Sequence, residues 1–97
     1  MSAEAAHQRK RVIVEGRVQG VGFRFFVRET ALRFGLTGIV RNLPDGQRVE
    51  VHLQGAASDV AGCIAAIRRG PPSSLVTSLQ VDDEPLVGHD VGFEVTR

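Results

Sequence analysis

Two helices laid on one face of a mostly antiparallel sheet, an α+β class, is what this 97-residue sequence predicts. Two observations carry that prediction. Stretches in which apolar residues alternate, the period of a half-buried strand, are interrupted twice by stretches in which they recur at helical spacing. The resulting order, β-α-β-β-α-β with a short C-terminal strand added, usually folds as a split βαβ unit, the ferredoxin-like two-layer α/β sandwich.

The first strand is read from Val12, Val14, Gly16 and Val18, which alternate with Ile13, Glu15 and Arg17. At Phe23 the period changes. Phe23, Val27, Ala31 and Phe34 share one helical face, Phe26 and Thr30 fill its flank, and Arg24 and Arg28 lie one turn apart on another. Gly35 is placed for a left-handed C-cap. Residues 37–43 read as the second strand, closed by the turn Pro44-Asp45-Gly46. The third strand sets Val49, Val51 and Leu53 against Arg48, Glu50, His52 and Gln54, and its short link to the second predicts an antiparallel hairpin. Ser58 or Asp59 then caps a second helix whose buried stripe is Val60, Ile64 and Ile67, with Cys63 as a small core residue within it. Gly62 weakens that helix by about 1 kcal/mol relative to Ala, and Gly70-Pro71-Pro72 ends it. Residues 75–83 read as a fourth strand with Leu75, Leu79 and Val81 on one face, while Val76 breaks the alternation and marks a bulge or an unpaired start. Residues 84–90 read as a loop, and Val91, Phe93 and Val95 as the closing strand.

Length and composition suit one small domain, residues 10–97, behind a flexible tail at 1–9. A net charge of +1 argues against a nucleic-acid binder held by bulk charge. Cys63 is the only cysteine, which excludes an intramolecular disulfide and a cysteine-built zinc cage. The N-terminal stretch lacks the apolar core of a signal peptide, and no apolar run reaches membrane-spanning length. A cytoplasmic protein is expected, monomeric and without membrane or nucleic-acid partners.

Chemistry concentrates in the run Gly16-Arg17-Val18-Gln19-Gly20-Val21-Gly22-Phe23-Arg24. It ends a strand in glycines and puts a cation at a helix start, where the unpaired N–H groups already carry partial positive charge. That arrangement is unfavourable for an empty site and favourable around a phosphate-like anion. Better-known phosphate loops do not fit. A dinucleotide fingerprint needs a third glycine where Phe25 stands, and a nucleotide P-loop needs Gly-Lys-Ser/Thr, whereas the sole lysine is Lys10. The run 22–27 faintly echoes an RNA-recognition strand, but its phenylalanines fall at helical spacing and are better explained by core packing.

The same run, followed by Gly35-Leu36-Thr37-Gly38-Ile39-Val40-Arg41-Asn42 and Pro44-Asp45-Gly46, strongly resembles the acylphosphatase family. Val49-Glu50-Val51, Gly70-Pro71-Pro72 and Gly92-Phe93-Glu94 match in order and approximate spacing, so the resemblance spans residues 10–97. It implies hydrolysis of small carboxyl-phosphate anhydrides to a carboxylate and inorganic phosphate, with no metal, no cofactor and no covalent intermediate. It further implies that the loop Gln19, Gly20, Val21, Gly22, Phe23 and Arg24 cradles the phosphoryl group, and that Asn42 positions the attacking water. In the family mechanism the substrate's own phosphate takes the water's proton, which suits a chain whose His7, His52 and His89 are badly placed for acid–base work.

Other polar residues have blander readings. Gln19 mostly shapes the loop, Arg28 belongs to a solvated helix face, and Asp45 belongs to its turn, having no second carboxylate at metal-ligand spacing. One departure stands out. Gln47 and Arg48 intervene where many relatives have a single residue, implying a one-residue bulge or a wider hairpin loop beyond Asn42. The alternative function is a noncatalytic anion-binding or interaction module on the same fold. The short chain favours the stand-alone enzyme, and RNA binding is a weaker third reading.

Overall fold

A computed structural model describes residues 7–88 and 91–96. Its elements are β1 (His7–Arg17), α1 (Phe23–Arg33), β2 (Thr37–Asn42), β3 (Arg48–Ala56), α2 (Ala57–Arg69), β4 (Leu75–Glu84) and β5 (Phe93–Thr96). The strands form one sheet in the order β4-β1-β3-β2-β5. Neighbours are antiparallel except β2 and β5, which run parallel. Both helices lie on one face, α1 over β2 and β5, α2 over β1 and β3. This is the predicted ferredoxin-like sandwich. Among the described residues no helix is long and apolar enough to cross a membrane.

The alternation read from the sequence selects the core. Val12 and Val14 of β1, Val40 of β2, and Val49, Val51 and Leu53 of β3 are buried against Phe23, Val27 and Ala31 of α1 and Val60, Cys63 and Ile67 of α2. Each Val, Leu, Ile or Phe among them contributes roughly 1.5–3 kcal/mol when fully buried. The face that turns inward is therefore set many times over. Burial pushes the Cys63 thiol up to about 12, so it stays protonated as a core group. Gly62 has a packing reason: a Cβ there would come within 2.6 Å of the Phe34 ring, so its absence lets α1 and α2 approach. Gly35, at φ 70, ends α1 in the expected cap, with Leu36 N–H bonded to Ala31 O at 2.9 Å.

Several boundaries differ from the sequence reading. β1 begins within the stretch 1–9 expected to be tail: His7, Gln8 and Arg9 already pair with Ala56, Gly55 and Gln54 of β3, and residues 1–6 lie outside the described residues. The same pairing carries β3 to Ala56, so α2 starts at once with Ala56 as its N-cap, displacing Ser58 and Asp59. Asp59 instead sits in the first turn, where a carboxylate favours the helix dipole. In β4 the register slips opposite Glu15 and Gly16. The bulge reverses the face of everything before it: Val76 joins Leu79 against the core, and Leu75 is exposed. Glu84 belongs to β4 rather than to the following loop, and β5 starts at Phe93 with Val91 exposed outside it.

The other face of the sheet is polar but not simply wet. Glu50 is buried and accepts from Arg11 Nε and Arg41 Nε, both at 2.6 Å, from the strands on either side. Arg9 and His52 converge on Glu84 of β4 in the same way. Burial alone raises the Glu50 carboxyl's pKa, but the hydrogen bonds and charges of Arg41 and Arg11 outweigh it and hold it below the ordinary 4.5. A depressed folded-state value means that stabilisation is present above the ordinary value and is lost as pH falls through the folded one. Glu50→Gln is therefore expected to lower unfolding free energy by about 1–2 kcal/mol at pH 7. Urea melts at neutral and acidic pH check this. The deficit should shrink on acidification; one that stays constant or grows contradicts it.

Candidate active site

Because β1 and β2 both oppose β3, and β5 parallels β2, the carboxyl ends of β1, β2 and β5 meet at one end of the sheet. Crevices beyond strand carboxyl ends are where open α/β sheets bind ligands. Residues 18–22 leave β1 at this end and lead to the start of α1. Val18 plugs the root of this loop into the core. The Gln19 side-chain amide donates to Leu43 O and Arg48 O, both at 2.9 Å, clamping the loop to the β2–β3 hairpin. Gly16 N–H adds a bond to Gln47 O at 3.0 Å.

Ser73, just past Gly70-Pro71-Pro72, donates its hydroxyl to Val21 O at 3.1 Å. A trans peptide directs the following N–H the opposite way, so Gly22 N–H points away from Ser73. Gly20 and Gly22 have φ 74 and 75, with nothing within 4 Å of where a Cβ would stand. The demand for glycine here is one of backbone conformation, not of space.

Gly22 is the N-cap of α1, without a side-chain cap and without an acid in the first turn. The first-turn N–H groups thus keep their donors and their partial positive charge. Arg24 is half-buried beside them, its Nη1 donating to the main-chain oxygen of Thr96 at 2.7 Å. A cleft of about 210 Å³ opens there on Gly20, Gly22, Phe23 and Arg24, with Val18, Phe25 and Val95 supplying apolar wall. The structure so brings together four of the six residues predicted for the cradle. Val21 packs toward the core, and the Gln19 side chain turns to the hairpin, as its loop-shaping reading expected.

Asn42 ends β2 opposite Val49 and does not line the cleft. It stands between two anchors. Leu43 O holds Gln19, and Arg41 pairs with Thr96, whose carbonyl holds Arg24. Its Oδ1 is buried without a hydrogen-bond partner. Leaving such an acceptor unsatisfied costs about 1–3 kcal/mol, so an orphan in a native fold calls for an explanation.

The extra hairpin residue is taken up in the loop, not as a bulge. The β2–β3 register is unbroken to Asn42 and Val49, so Asn42 keeps its place. Asp45 accepts the N–H groups of Gln47 and Arg48 at 2.9 and 3.0 Å, and these contacts with the Arg48 guanidinium hold its carboxyl below the usual range. Asp45 thus serves its turn, while Gln47 O holds Gly16 and Arg48 O shares Gln19 with Leu43 O.

Arg28 pairs at the surface with Glu29, as a solvated helix face implies. His52 lies on the opposite face of the sheet bonded to Glu84, His7 begins β1, and His89 lies outside the described residues. Core packing accounts for Phe23 and Phe26 but not for Phe25, which is 67% exposed. Thr96 was not legible as a site residue, because it contributes a main-chain oxygen and no side-chain signature.

Over residues 10–95 the sequence matches the family model described as Acylphosphatase. The chain is 49% identical over 87 residues to a protein named acylphosphatase from Caldivirga maquilingensis, covering 90% of this chain and 92% of the relative. Its fold is similar to the crystal structure of acylphosphatase from Bacillus subtilis, with TM-score 0.87, 37% identity, and 92% and 98% of the two chains covered. It is also similar to 12% of full-length HypF in the phosphate- and nucleotide-bound form, at 30% identity over 94% of this chain and TM-score 0.81. With the family model matching residues 10–95 and a 49%-identical relative covered over 92% of its length, this chain belongs to the acylphosphatase family.

Proposed function

We propose that this protein hydrolyses the carboxyl–phosphate bond of small acyl phosphates, with the phosphoryl group held by residues 19–24 and the attacking water held by Asn42. The observation that carries the reading is the uncapped helix start, which gathers left-handed glycines and an anchored guanidinium around one cleft. Positive charge collected there favours the charge-laden oxygens of a phosphoryl group in transfer. Anchoring of Arg24 on Thr96 removes the freedom that a surface arginine would lose on binding.

The chemistry needs little else. A carboxylate is a good leaving group, so the acyl oxygen departs without a protein acid. The water oxygen bonds to phosphorus as the bond from phosphorus to the acyl oxygen breaks. The water's proton passes to a non-bridging phosphate oxygen, giving a carboxylate and inorganic phosphate. Asn42 suits the water because its unpaired, buried Oδ1 can accept a hydrogen bond from the water's O–H and fix the direction of attack. The metal-free reading comes with the acylphosphatase resemblance and with a chemistry that needs only charge held around the phosphoryl group.

The test is turnover of benzoyl phosphate by the purified chain, with and without chelator. Activity retained in excess EDTA is the expected outcome. Loss of activity with EDTA, restored by a divalent cation, contradicts the metal-free mechanism; no turnover at all contradicts the enzyme. The similarity to a small part of HypF keeps a second reading, an anion-binding module. Phosphate binding without hydrolysis favours that one. Action as a monomer in the cytoplasm completes the proposal, and sedimentation checks the first half of it.

A further inference from the structure

We propose that Phe25 is the acyl-group platform of this site, and that it biases the enzyme toward acyl phosphates with an aromatic or similarly broad apolar acyl group. The inference rests on the hydrolase reading above and deepens it. Phe25 is the one phenylalanine of α1's first turn that the core does not use. Phe23 is buried, and Phe26 packs on the core with its ring 6.1 Å from that of Phe23, whereas Phe25 is 67% exposed. A lone exposed apolar residue needs no explanation in itself. This one also lines the cleft that holds Gly20, Gly22 and Arg24.

Helix geometry explains how it does so. Side chains on a helix lean toward its N-terminus and cover the turn before their own Cα. Phe25 is the third residue of α1, so the surface it covers is the N-terminal mouth, where the phosphoryl group binds. In-line displacement places the leaving acyl oxygen on the side of phosphorus opposite the attacking water. With the water on Asn42, which stands outside the residues lining the cleft, the acyl group takes the cleft's side of phosphorus. There it meets Phe25 and Val95, with Val18 buried behind them and no charged group in the lining other than Arg24. A flat ring laid on Phe25 removes apolar surface from water on both partners, and a methyl group covers little of it.

The experiment compares kcat/KM for benzoyl phosphate and acetyl phosphate in the wild type, Phe25→Ala and Phe25→Tyr. The readout is the ratio of the two values within each protein. The ratio is expected to fall about tenfold in Phe25→Ala, in the range of a lost apolar contact, and to be kept in Phe25→Tyr. An unchanged ratio in Phe25→Ala overturns the proposal. That includes the case where both substrates slow together, which is what mere disturbance of α1's first turn produces. Absence of wild-type turnover with either substrate overturns the hydrolase reading itself, a result distinct from active enzyme with an unaltered ratio.

Discussion

Arg24→Ala is expected to lower kcat/KM for an acyl phosphate by about 10³-fold or more, which is about 4 kcal/mol of transition-state stabilisation. An arginine acting on phosphoryl transfer is commonly worth about 10³–10⁵ in rate, and here ground-state binding goes with it. The fold should hardly notice. The change removes one hydrogen bond to Thr96 O, worth about 0.5–1.5 kcal/mol. It also relieves a cation at a helix N-terminus, worth about 0.3–1 kcal/mol in the other direction. Activity and stability thus separate, and denaturant melts beside steady-state kinetics read both. Arg24→Lys keeps the charge but not the planar fork that serves Thr96 and a phosphoryl oxygen together, so it should recover less than about tenfold. Wild-type activity in Arg24→Ala contradicts the assigned cradle.

Asn42→Ala is expected to lower kcat by about 10²–10³-fold, while inorganic phosphate still inhibits with a constant within about threefold of the parent's. The split follows from the geometry. Gly20, Gly22 and Arg24 line the cleft and Asn42 does not, so losing Asn42 removes the nucleophile's holder and leaves the anion's. Stability gives a second, opposed readout. A buried acceptor without a partner costs about 1–3 kcal/mol, so Asn42→Ala should be as stable as the parent or more so. Such a trade of stability for activity is what a functional polar residue shows. If Asn42 served only to finish the strand before its turn, the substitution would destabilise the fold and spare kcat. That pattern contradicts its proposed role.

How much of this was legible in the sequence differs from element to element. Alternation in β1 and β3 and the helical stripes at Phe23, Val27 and Ala31 and at Val60 and Ile67 named the core, because burial acts on side chains whose spacing is local. The β4 reading failed before its bulge, since Leu75 and Val76 exchange faces only when Gly16 and Val76 pair across the register slip. The Ser58 or Asp59 cap failed for a similar reason: pairing with β1 carries β3 to Ala56 and leaves no loop to cap. At the site, glycine spacing and a cation at a helix start are local features, so the expectation of an anion is legible in the sequence. The hairpin's extra residue looked like a threat to Asn42, yet it is taken up in the loop, where Gln47 O holds Gly16 while Leu43 O and Arg48 O hold Gln19.

By itself the sequence determined the sandwich, the buried faces of β1, β3 and the helices, and the resemblance that pairs Arg24 with Asn42, and it raised the expectation of an anion cradle around Gly20, Gly22 and Arg24. These depend on side-chain periodicity and on residues close together in the chain. Tertiary structure alone decided that β5 lies parallel to β2, that Thr96 holds Arg24, that Gln19 clamps the loop to the hairpin, and that Phe25 stands out over the cleft. The physical reason is common to the first three. Each is made by hydrogen bonds to main-chain carbonyls of a segment far away in sequence, and a peptide carbonyl looks the same in every residue. Phe25 differs only in being left over. Which phenylalanine of a helix start stays outside is decided by what the rest of the fold has already covered.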